Sequence, residues 1–139
     1  MNDRGVLLVQ TGGRRLGLPL RGVLEVSDVR QVERVPGTAA AVRGITSARG
    51  RLVPLAHLGA LVSGGPCPPE SPDRTQVLAS VADRWLALEV DEVDAAPDQE
   101  ILPSPEGSGL AGWTVGVVKL EGQWIPILDL SVLAERLTG

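Results

Sequence analysis

A block of sequence that occurs twice in the chain constrains the fold more than any other feature. The first copy covers residues 44–58 and the second covers residues 116–130, at a constant offset of 72 positions and without a gap. Two copies are too few for a solenoid, so the repeat predicts two similar, pseudo-symmetric subdomains within one chain. Four pairs of positions are identical in the two copies: Gly44 and Gly116, Gly50 and Gly122, Pro54 and Pro126, Leu58 and Leu130.

Each copy of the repeat has the pattern of a β-hairpin, because aliphatic residues flank a central glycine on both sides. In the first copy, Arg49 and Gly50 form the predicted turn. Pro54 has no backbone N–H, so we expect the pairing of the second strand to end there. The predicted strands are residues 45–48 and 51–53 in the first copy, and residues 114–120 and 123–127 in the second.

Two further hairpins are predicted outside the repeat, one around Gly12-Gly13 and one around Asp83-Arg84. Between residues 21 and 32, valines at every third position are compatible with a helix. The many β-branched residues there favour a short turn followed by a strand. The strands of the two hairpins are residues 6–10 with 15–20, and residues 75–82 with 85–90.

Short helices complete the predicted secondary structure. Thr38 can cap a helical turn over residues 39–42, and Asp129 is a good N-cap for a final helix with leucines on one face. Residues 56–62 fit either a short helix or an extension of the preceding strand, and the Gly/Pro/Ser-rich residues 63–74 predict a long surface loop. Many short strands with little helix predict a mainly β protein that consists of two small barrels packed together.

Composition limits the classes of partner. At 139 residues, with 43% hydrophobic and 22% charged residues, the chain is long and apolar enough to bury a packed core. A net charge of −4 and an aromatic content of only three Trp disfavour nucleic acid, which requires a basic face and stacking platforms. No apolar run approaches the roughly 18–20 residues of a membrane span, and the N-terminal apolar run is too short for a signal peptide. We therefore expect a cytoplasmic protein without direct membrane insertion.

Few residues in the chain could carry chemistry. His57 is the single histidine and Cys67 the single cysteine, so the chain offers no disulfide and no zinc site of His and Cys ligands. No Gly-x-Ser-x-Gly nucleophile motif accompanies His57, which we expect to be structural or solvated. Cys67 lies in a Pro-rich polar segment and is expected to be a solvent-exposed thiol. We predict no catalytic residue, no metal and no cofactor.

Two patterns that could suggest a ligand have simpler structural interpretations. Residues 107–112 match Gly-x-Gly-x-x-Gly, but Pro103 and Pro105 precede them and a β-rich stretch follows. A dinucleotide site requires a strand before the glycines and a helix after them, so we expect no nucleotide there. An acidic run alternates with apolar residues and predicts a solvated strand face: Glu89, Asp91, Glu92 and Asp94.

The repeat and its surroundings resemble the CheW-like domain family. Residues 42–55, Val-Arg-Gly-Ile-Thr-Ser-Ala-Arg-Gly-Arg-Leu-Val-Pro-Leu, are similar to the family signature Gly-x-x-Asn-Leu-Arg-Gly-x-Ile-Val-Pro-Ile, and residues 116–130 resemble its second half. Residues 17–20 and 23–26 resemble the family's second strand and its Val-x-Glu-Val/Ile segment. The resemblance implies two five-stranded, SH3-like barrels with short helices, so that residues 1–139 form a single domain of two pseudo-repeated subdomains.

The same resemblance implies a chemosensory coupling protein. Such a protein links the signalling tip of methyl-accepting chemoreceptors to the regulatory domain of a CheA-type histidine kinase. The matching of Glu25 and Arg49 also implies an ion pair at the edge of the receptor groove. The positions that match the family's receptor-binding side are Val23, Glu25, Gly44, Arg49 and Gly50, and the position that matches its kinase-binding side is Val32.

Three departures from the family pattern leave the choice of partner open. Ser47-Ala48-Arg49-Gly50 replaces Asn-Leu-Arg-Gly, His57 replaces the usual Asp, and residues 63–74 are unusually rich in proline. One alternative is therefore a diverged CheW-like protein of a non-flagellar chemosensory pathway that binds only one of the two partners. A small-molecule-binding β domain is a more distant alternative.

Overall fold

Short strands joined by tight turns make up most of the structure. The computed structural model describes residues 5–96, 98–104 and 112–138, and within these ranges the chain forms eleven strands, two α-helices and one 3-10 helix. The strands are β1 (Val6–Thr11), β2 (Arg14–Pro19), β3 (Val23–Asp28), β4 (Val32–Glu33), β5 (Val42–Ala48), β6 (Arg51–His57), β7 (Thr75–Val81), β8 (Arg84–Val90), β9 (Glu92–Ala96), β10 (Thr114–Leu120) and β11 (Gln123–Leu128). The helices are α1 (Leu58–Ser63) and α2 (Leu130–Thr138), and the 3-10 helix is Leu20–Gly22.

The strands form two sheets. The five-stranded sheet has the order β10-β11-β2-β1-β9, and the six-stranded sheet has the order β3-β7-β8-β6-β5-β4. The predicted mainly β class is confirmed, but in the described ranges neither sheet closes on itself by backbone pairing. The predicted five strands become six in the second sheet because of β4, whose two residues are too short to produce a recognisable pattern.

The two copies of the repeat form hairpins with the same turn. Arg49 and Gly50 have positive φ angles of 50° and 77°, and Glu121 and Gly122 have almost the same values, 51° and 76°. Two consecutive positive φ angles match the right-handed twist of the flanking strands, and glycine adopts the second one without steric cost. The turn therefore aims Arg49 and Glu121 outward at equivalent places of β5–β6 and β10–β11.

The first glycine of each copy lies at a β-bulge where another segment approaches closely. The register shifts between Val42 and Gly44 in β5, and the corresponding shift in β10 precedes Gly116. A Cβ atom on Gly44 would collide with the Glu33 carbonyl oxygen, and one on Gly116 would collide with the Leu102 carbonyl oxygen. Glycine at both positions therefore lets a preceding segment pack directly against the hairpin.

The expectation that strand pairing ends at Pro54 is wrong. Pro54 pairs with Ile45 inside β6, and the strand continues to His57. On its other flank, β6 pairs with β8 in parallel only from Leu55, so the proline stands one residue before that ladder begins. Its missing N–H therefore interrupts no parallel pairing. Pro126 occupies the same place, one residue before the parallel pairing of β11 with β2.

The helical turn predicted for residues 39–42 does not form. The Val42 N–H donates to the Ala39 carbonyl at 3.0 Å in a single turn, and Val42 already begins β5. The Thr38 hydroxyl donates to the Val35 carbonyl at 3.0 Å, so it caps no helix. Cross-strand packing of Val42 against β6 outweighs the helix propensity of the preceding alanines.

Two predicted boundaries are shifted. The turn of the β7–β8 hairpin is Ala82-Asp83, because Arg84 already pairs with Val81. Residues 56–62 combine both of the predicted alternatives, since β6 extends to His57 and α1 begins at Leu58.

Aliphatic side chains fill the interior, and the largest buried cluster joins the two sheets. It contains Leu16 and Leu88 from the two sheets and Leu58 and Leu133 from the two helices. Each sheet also has a smaller cluster of its own, one with Ile125 and Ile127 and the other with Leu55 and Leu78. The division of residues 1–139 into two pseudo-repeated subdomains stays a prediction.

Candidate partner-binding surfaces

An ion pair joins the edge strand β3 to the turn of the β5–β6 hairpin. Arg49 Nε donates to Glu25 Oε1 at 2.7 Å, and Arg49 Nη2 donates to the Leu24 carbonyl at 3.2 Å. The Arg49 side chain is 49% exposed and that of Glu25 is 34% exposed. The contact expected between Glu25 and Arg49 therefore exists, and it is accessible to a partner.

The other three residues matched to the receptor side differ in accessibility. Gly50 is exposed at the tip of the turn, beside Arg49. Val23 is half-buried and packs against the large cluster between the sheets. Gly44 is buried under the chain at Glu33, so it can shape this region but cannot contact a partner. Of the predicted set, Glu25, Arg49 and Gly50 lie together at the surface.

Val32, the residue matched to the kinase side, lies in β4 at the opposite edge of the same sheet. It pairs with Thr46 and packs, half-buried, against the cluster that contains Leu55. The Thr46 hydroxyl donates to the Gln31 carbonyl at 2.8 Å and thereby fastens the start of β4. Val32 therefore has a packing role as well as an exposed part.

Two exposed apolar side chains are absent from the predicted site residues. Leu52 is 78% exposed and Trp124 is 51% exposed, and they occupy equivalent positions of the two hairpins. Val53 and Ile125, the next residues, are buried. Strict alternation along a strand would have placed Leu52 and Trp124 on the outer face. Leu52, three residues after Arg49, therefore adds an exposed apolar side chain to this hairpin.

A buried ionic cluster was also missed. Arg43 donates from Nε and Nη2 to both carboxylate oxygens of Glu89, at 2.8 and 2.9 Å, and Arg74 lies 3.3 Å from the same carboxylate. The side chains of Arg43 and Glu89 are only 5% and 7% exposed. Hydrogen bonding to Glu89 raises the pKa of Arg43. The predicted solvated face is therefore wrong for Glu89, although Asp91, Glu92 and Asp94 are exposed.

The Pro-rich segment 64–74, which we call the strap, is fastened to the protein by polar contacts. Arg43 Nη1 donates to the Pro68 carbonyl at 2.7 Å, and Arg34 pairs with Glu70 at 3.5 Å. The Cys67 thiol donates to the carbonyls of residues 40 and 41 at 3.3 and 3.2 Å. Cys67 is therefore half-buried, and the expectation of a solvent-exposed thiol is wrong.

His57 has a structural role at the start of α1. Its Nδ1 accepts a hydrogen bond from the Ala60 N–H at 3.0 Å, and the residue is buried. An acceptor at Nδ1 means that the proton of the neutral ring is on Nε2. Burial, partly opposed by the charge of Glu89, lowers the pKa of His57.

The described residues contain no other grouping that suggests a ligand. Within the ranges given above, no three His, Cys, Asp or Glu side chains converge as a metal site would require. Neither α-helix in those ranges has the length and apolar character needed to cross a bilayer. Most of the glycine motif at residues 107–112 lies outside the described residues.

Comparison with known proteins agrees with this architecture. The crystal structure of the scaffolding protein TtCheW from Thermoanaerobacter tengcongensis superimposes with a TM-score of 0.80 over 91% of this chain and 89% of that one, at 22% identity. At that identity the likeness shows a shared fold.

Two curated proteins are similar in sequence. Protein FrzA of Myxococcus xanthus is 29% identical over 133 residues, which cover 91% of this chain and 82% of that protein. The chemotaxis protein CheA of Halobacterium salinarum is 30% identical over 133 residues, which cover 92% of this chain. The chain spans only 18% of the length of CheA, so it is similar to one part of that protein.

The model of the CheW-like domain matches residues 5–137, which include both hairpins, the Glu25–Arg49 pair, α1 and all but the last residue of α2. This protein therefore belongs to the CheW-like domain family.

Proposed function

We propose that the protein is a non-enzymatic chemosensory adaptor, which joins the signalling tip of a chemoreceptor to the regulatory domain of a CheA-type histidine kinase in the cytoplasm. The observation that carries the proposal is the family match over residues 5–137. An adaptor needs two separate partner surfaces. The six-stranded sheet offers one at each of its edge strands, β3 and β4.

We assign the receptor to the surface around Glu25, Arg49 and Gly50. The Arg49 side chain is half exposed beside its bond to Glu25, and Leu52 adds exposed apolar area three residues further along. Charged and apolar groups at the same exposed place are typical of interaction sites, where arginine is enriched. Gly44 contributes by seating β4 against β5.

We assign the kinase regulatory domain to the surface around Val32. β4 pairs only with β5, so its outer edge is free of backbone pairing among the described strands. Val35 is also exposed two residues after β4 and extends the apolar part of this surface. A short edge strand with aliphatic side chains suits a partner that is itself rich in strands.

Binding of purified partner fragments tests the proposal directly. We expect saturable binding of both a CheA regulatory domain and a receptor signalling-tip fragment by calorimetry. Absence of binding to both fragments would refute the proposal. Binding of only one would favour an adaptor that serves a single partner. The strap supports that second candidate, because Arg34–Glu70 ties it to the segment that leaves the Val32 surface.

Arg49→Ala tests the receptor surface. We expect a small change in melting temperature, because exposed ion pairs contribute only about 0–1 kcal/mol to stability. Receptor affinity should fall by more, since an interfacial charge left without its mate costs roughly 2–5 kcal/mol. Arg14→Ala is the matched control, because it removes an exposed arginine from a hairpin of the other sheet.

A charge swap separates a binding role from a purely structural one. The double variant Glu25→Arg/Arg49→Glu can restore the ion pair across β3 and the turn, but it inverts the pattern shown to a partner. We expect near wild-type melting with weak receptor binding. Full receptor affinity in the swapped variant would remove these two residues from the site.

A further inference from the structure

The two helices that follow the repeated hairpins are capped by residues of different acidity. His57 and Asp129 are equivalent by the offset of 72 positions (129 − 57 = 72). Asp129 Oδ1 accepts from the Ser131 N–H at 2.9 Å at the start of α2, as His57 Nδ1 accepts from the Ala60 N–H at the start of α1. A carboxylate accepts a hydrogen bond at any pH near neutrality, whereas the Nδ1 atom of an imidazole accepts one only while it carries no proton. The cap of α1 is therefore sensitive to protonation where the cap of α2 is not.

The groups that face His57 come from several elements. Glu89 on β8 and Asp91 after it favour the protonated ring, whereas Arg43 on β5 opposes it. Arg74 pairs with Glu89 and so reduces the pull of that carboxylate. The net result of this environment is a neutral, buried imidazole at pH 7.

Protons can reach His57 from solvent. The ring lines an open cleft of about 220 Å³ together with Arg14 from the β1–β2 hairpin, Ser63 at the end of α1, and Pro66 and Pro68 of the strap. His57 is thus buried but is one of the residues that line this cleft beside the strap.

Helix α1 depends strongly on its cap. It has only six residues, fewer than two turns, so each hydrogen bond at its start is a large share of the total. The Gly59 N–H donates to the buried Thr11 hydroxyl at 2.9 Å, which joins the first turn of α1 to the five-stranded sheet. At its other end, α1 passes through Gly64 into the strap. Loosening of the first turn therefore affects both the contact between the sheets and the strap.

We propose that His57 is a proton-operated cap, which holds α1 and the strap in place while the imidazole is neutral and releases them on protonation. Acidification then opens α1 and residues 64–74, whereas α2 stays closed under its carboxylate cap. Because the strap contacts Arg34 and the carbonyls of residues 40 and 41, the same protonation also alters the segment next to β4. This last step rests on the proposed function, in which β4 faces the kinase.

Amide hydrogen exchange measured by NMR tests the cap in the unmodified protein. His57 is the single histidine, so its ring signals report one titration. Between pH 7.5 and 5.5, after correction for intrinsic exchange, we expect protection of the Ala60 amide to fall by about 2- to 10-fold relative to that of Ser131. Uptake of one proton by an imidazole whose ordinary pKa is about 6.5 sets the upper end of this range. The His57 ring signals and the protection of the Ala60 amide should change over the same pH range. An Ala60-to-Ser131 ratio that does not change with pH would overturn the proposal.

His57→Asn is the matched variant, because its side-chain amide oxygen can cap the helix but does not titrate. We expect the pH dependence at Ala60 to disappear in it. The same fall in the variant as in the wild type would assign the effect to another group and overturn the proposal. If the variant does not fold, the pH dependence of the Ala60-to-Ser131 protection ratio in the wild type still tests the proposal.

Kinase binding tests the functional step separately. We expect the affinity of the wild type for a CheA regulatory domain to fall from pH 7.5 to 5.5 by more than that of His57→Asn. Absence of binding at pH 7.5 would refute the proposed function but leave the exchange result intact. Equal pH dependence in the two proteins, with α1 open in the wild type, would show that the cap does not control the kinase surface.

Discussion

Removal of one partner of the buried Arg43–Glu89 pair should cost far more stability than removal of one partner of the exposed Glu25–Arg49 pair. Arg43→Met keeps the length of the side chain but leaves the Glu89 carboxylate, whose side chain is 7% exposed, with only the 3.3 Å contact to Arg74. Breaking a buried pair costs about 3–5 kcal/mol, and the remaining contact with Arg74 places the expected loss near 3 kcal/mol. With an unfolding entropy proportional to chain length, this corresponds to a decrease in melting temperature of about 10 °C.

Thermal unfolding followed by circular dichroism, with chemical denaturation as a second measure, tests this difference. Arg49→Met is the matched control, because it makes the same substitution at an arginine whose side chain is 49% exposed. We expect the control to lose about 1 kcal/mol or less. Equal losses in the two variants, or a loss below about 1 kcal/mol for Arg43→Met, would contradict the argument from burial.

Three further predictions concern a bulge, an edge strand and a titration. Gly44→Ala should lower the free energy of unfolding more than Gly50→Ala does. A Cβ at residue 44 meets the Glu33 carbonyl, whereas a Cβ at residue 50 meets no atom and only the positive φ of that residue is unfavourable. Urea midpoints of the two variants test this difference. Val32→Asp should weaken binding of the kinase regulatory domain, and it should also lower the melting temperature because Val32 packs against the Leu55 cluster. Calorimetry well below the melting temperature separates the loss of affinity from the loss of stability. Unchanged affinity would exclude Val32 from the site. The pKa of His57 in the folded protein lies below its unfolded value of about 6.5. The neutral imidazole therefore contributes its full stabilisation above pH 6.5, and this stabilisation is lost as the pH falls toward the folded pKa. Urea midpoints that change with pH to the same extent in the wild type and in His57→Asn would refute this.

The candidate surfaces show which kinds of residue a sequence can identify. Arg49 was predictable because the turn that exposes it is encoded locally by Gly50, and its contact with Glu25 came from family resemblance. Gly44 was matched to the receptor side, and the structure buries it against the Glu33 carbonyl, because a glycine that binds a partner and one that admits a neighbouring carbonyl have the same sequence pattern. Only the path of β4 distinguishes them.

The ionic cluster was invisible in the sequence for a different reason. Arg43 and Glu89 are 46 positions apart, and Glu89 begins an acidic run that alternates like a solvated strand. Burial of the end of a strand depends on the segments that fold over it. Here the strap and the start of β5 cover the end of β8, where Glu89 lies. A charge pattern along one strand contains no information about that cover.

The sequence by itself determined the local units of this protein: the hairpins, their Gly turns, the cap at Asp129, and the duplication at an offset of 72. Turn geometry and capping depend on neighbouring residues, so a short stretch of chain specifies them. Tertiary structure alone decided the parallel pairings next to Pro54 and Pro126, the burial of Glu89 and the fastening of the strap. Each of these brings together segments far apart in the chain, and their stability comes from packing and desolvation that no single segment encodes.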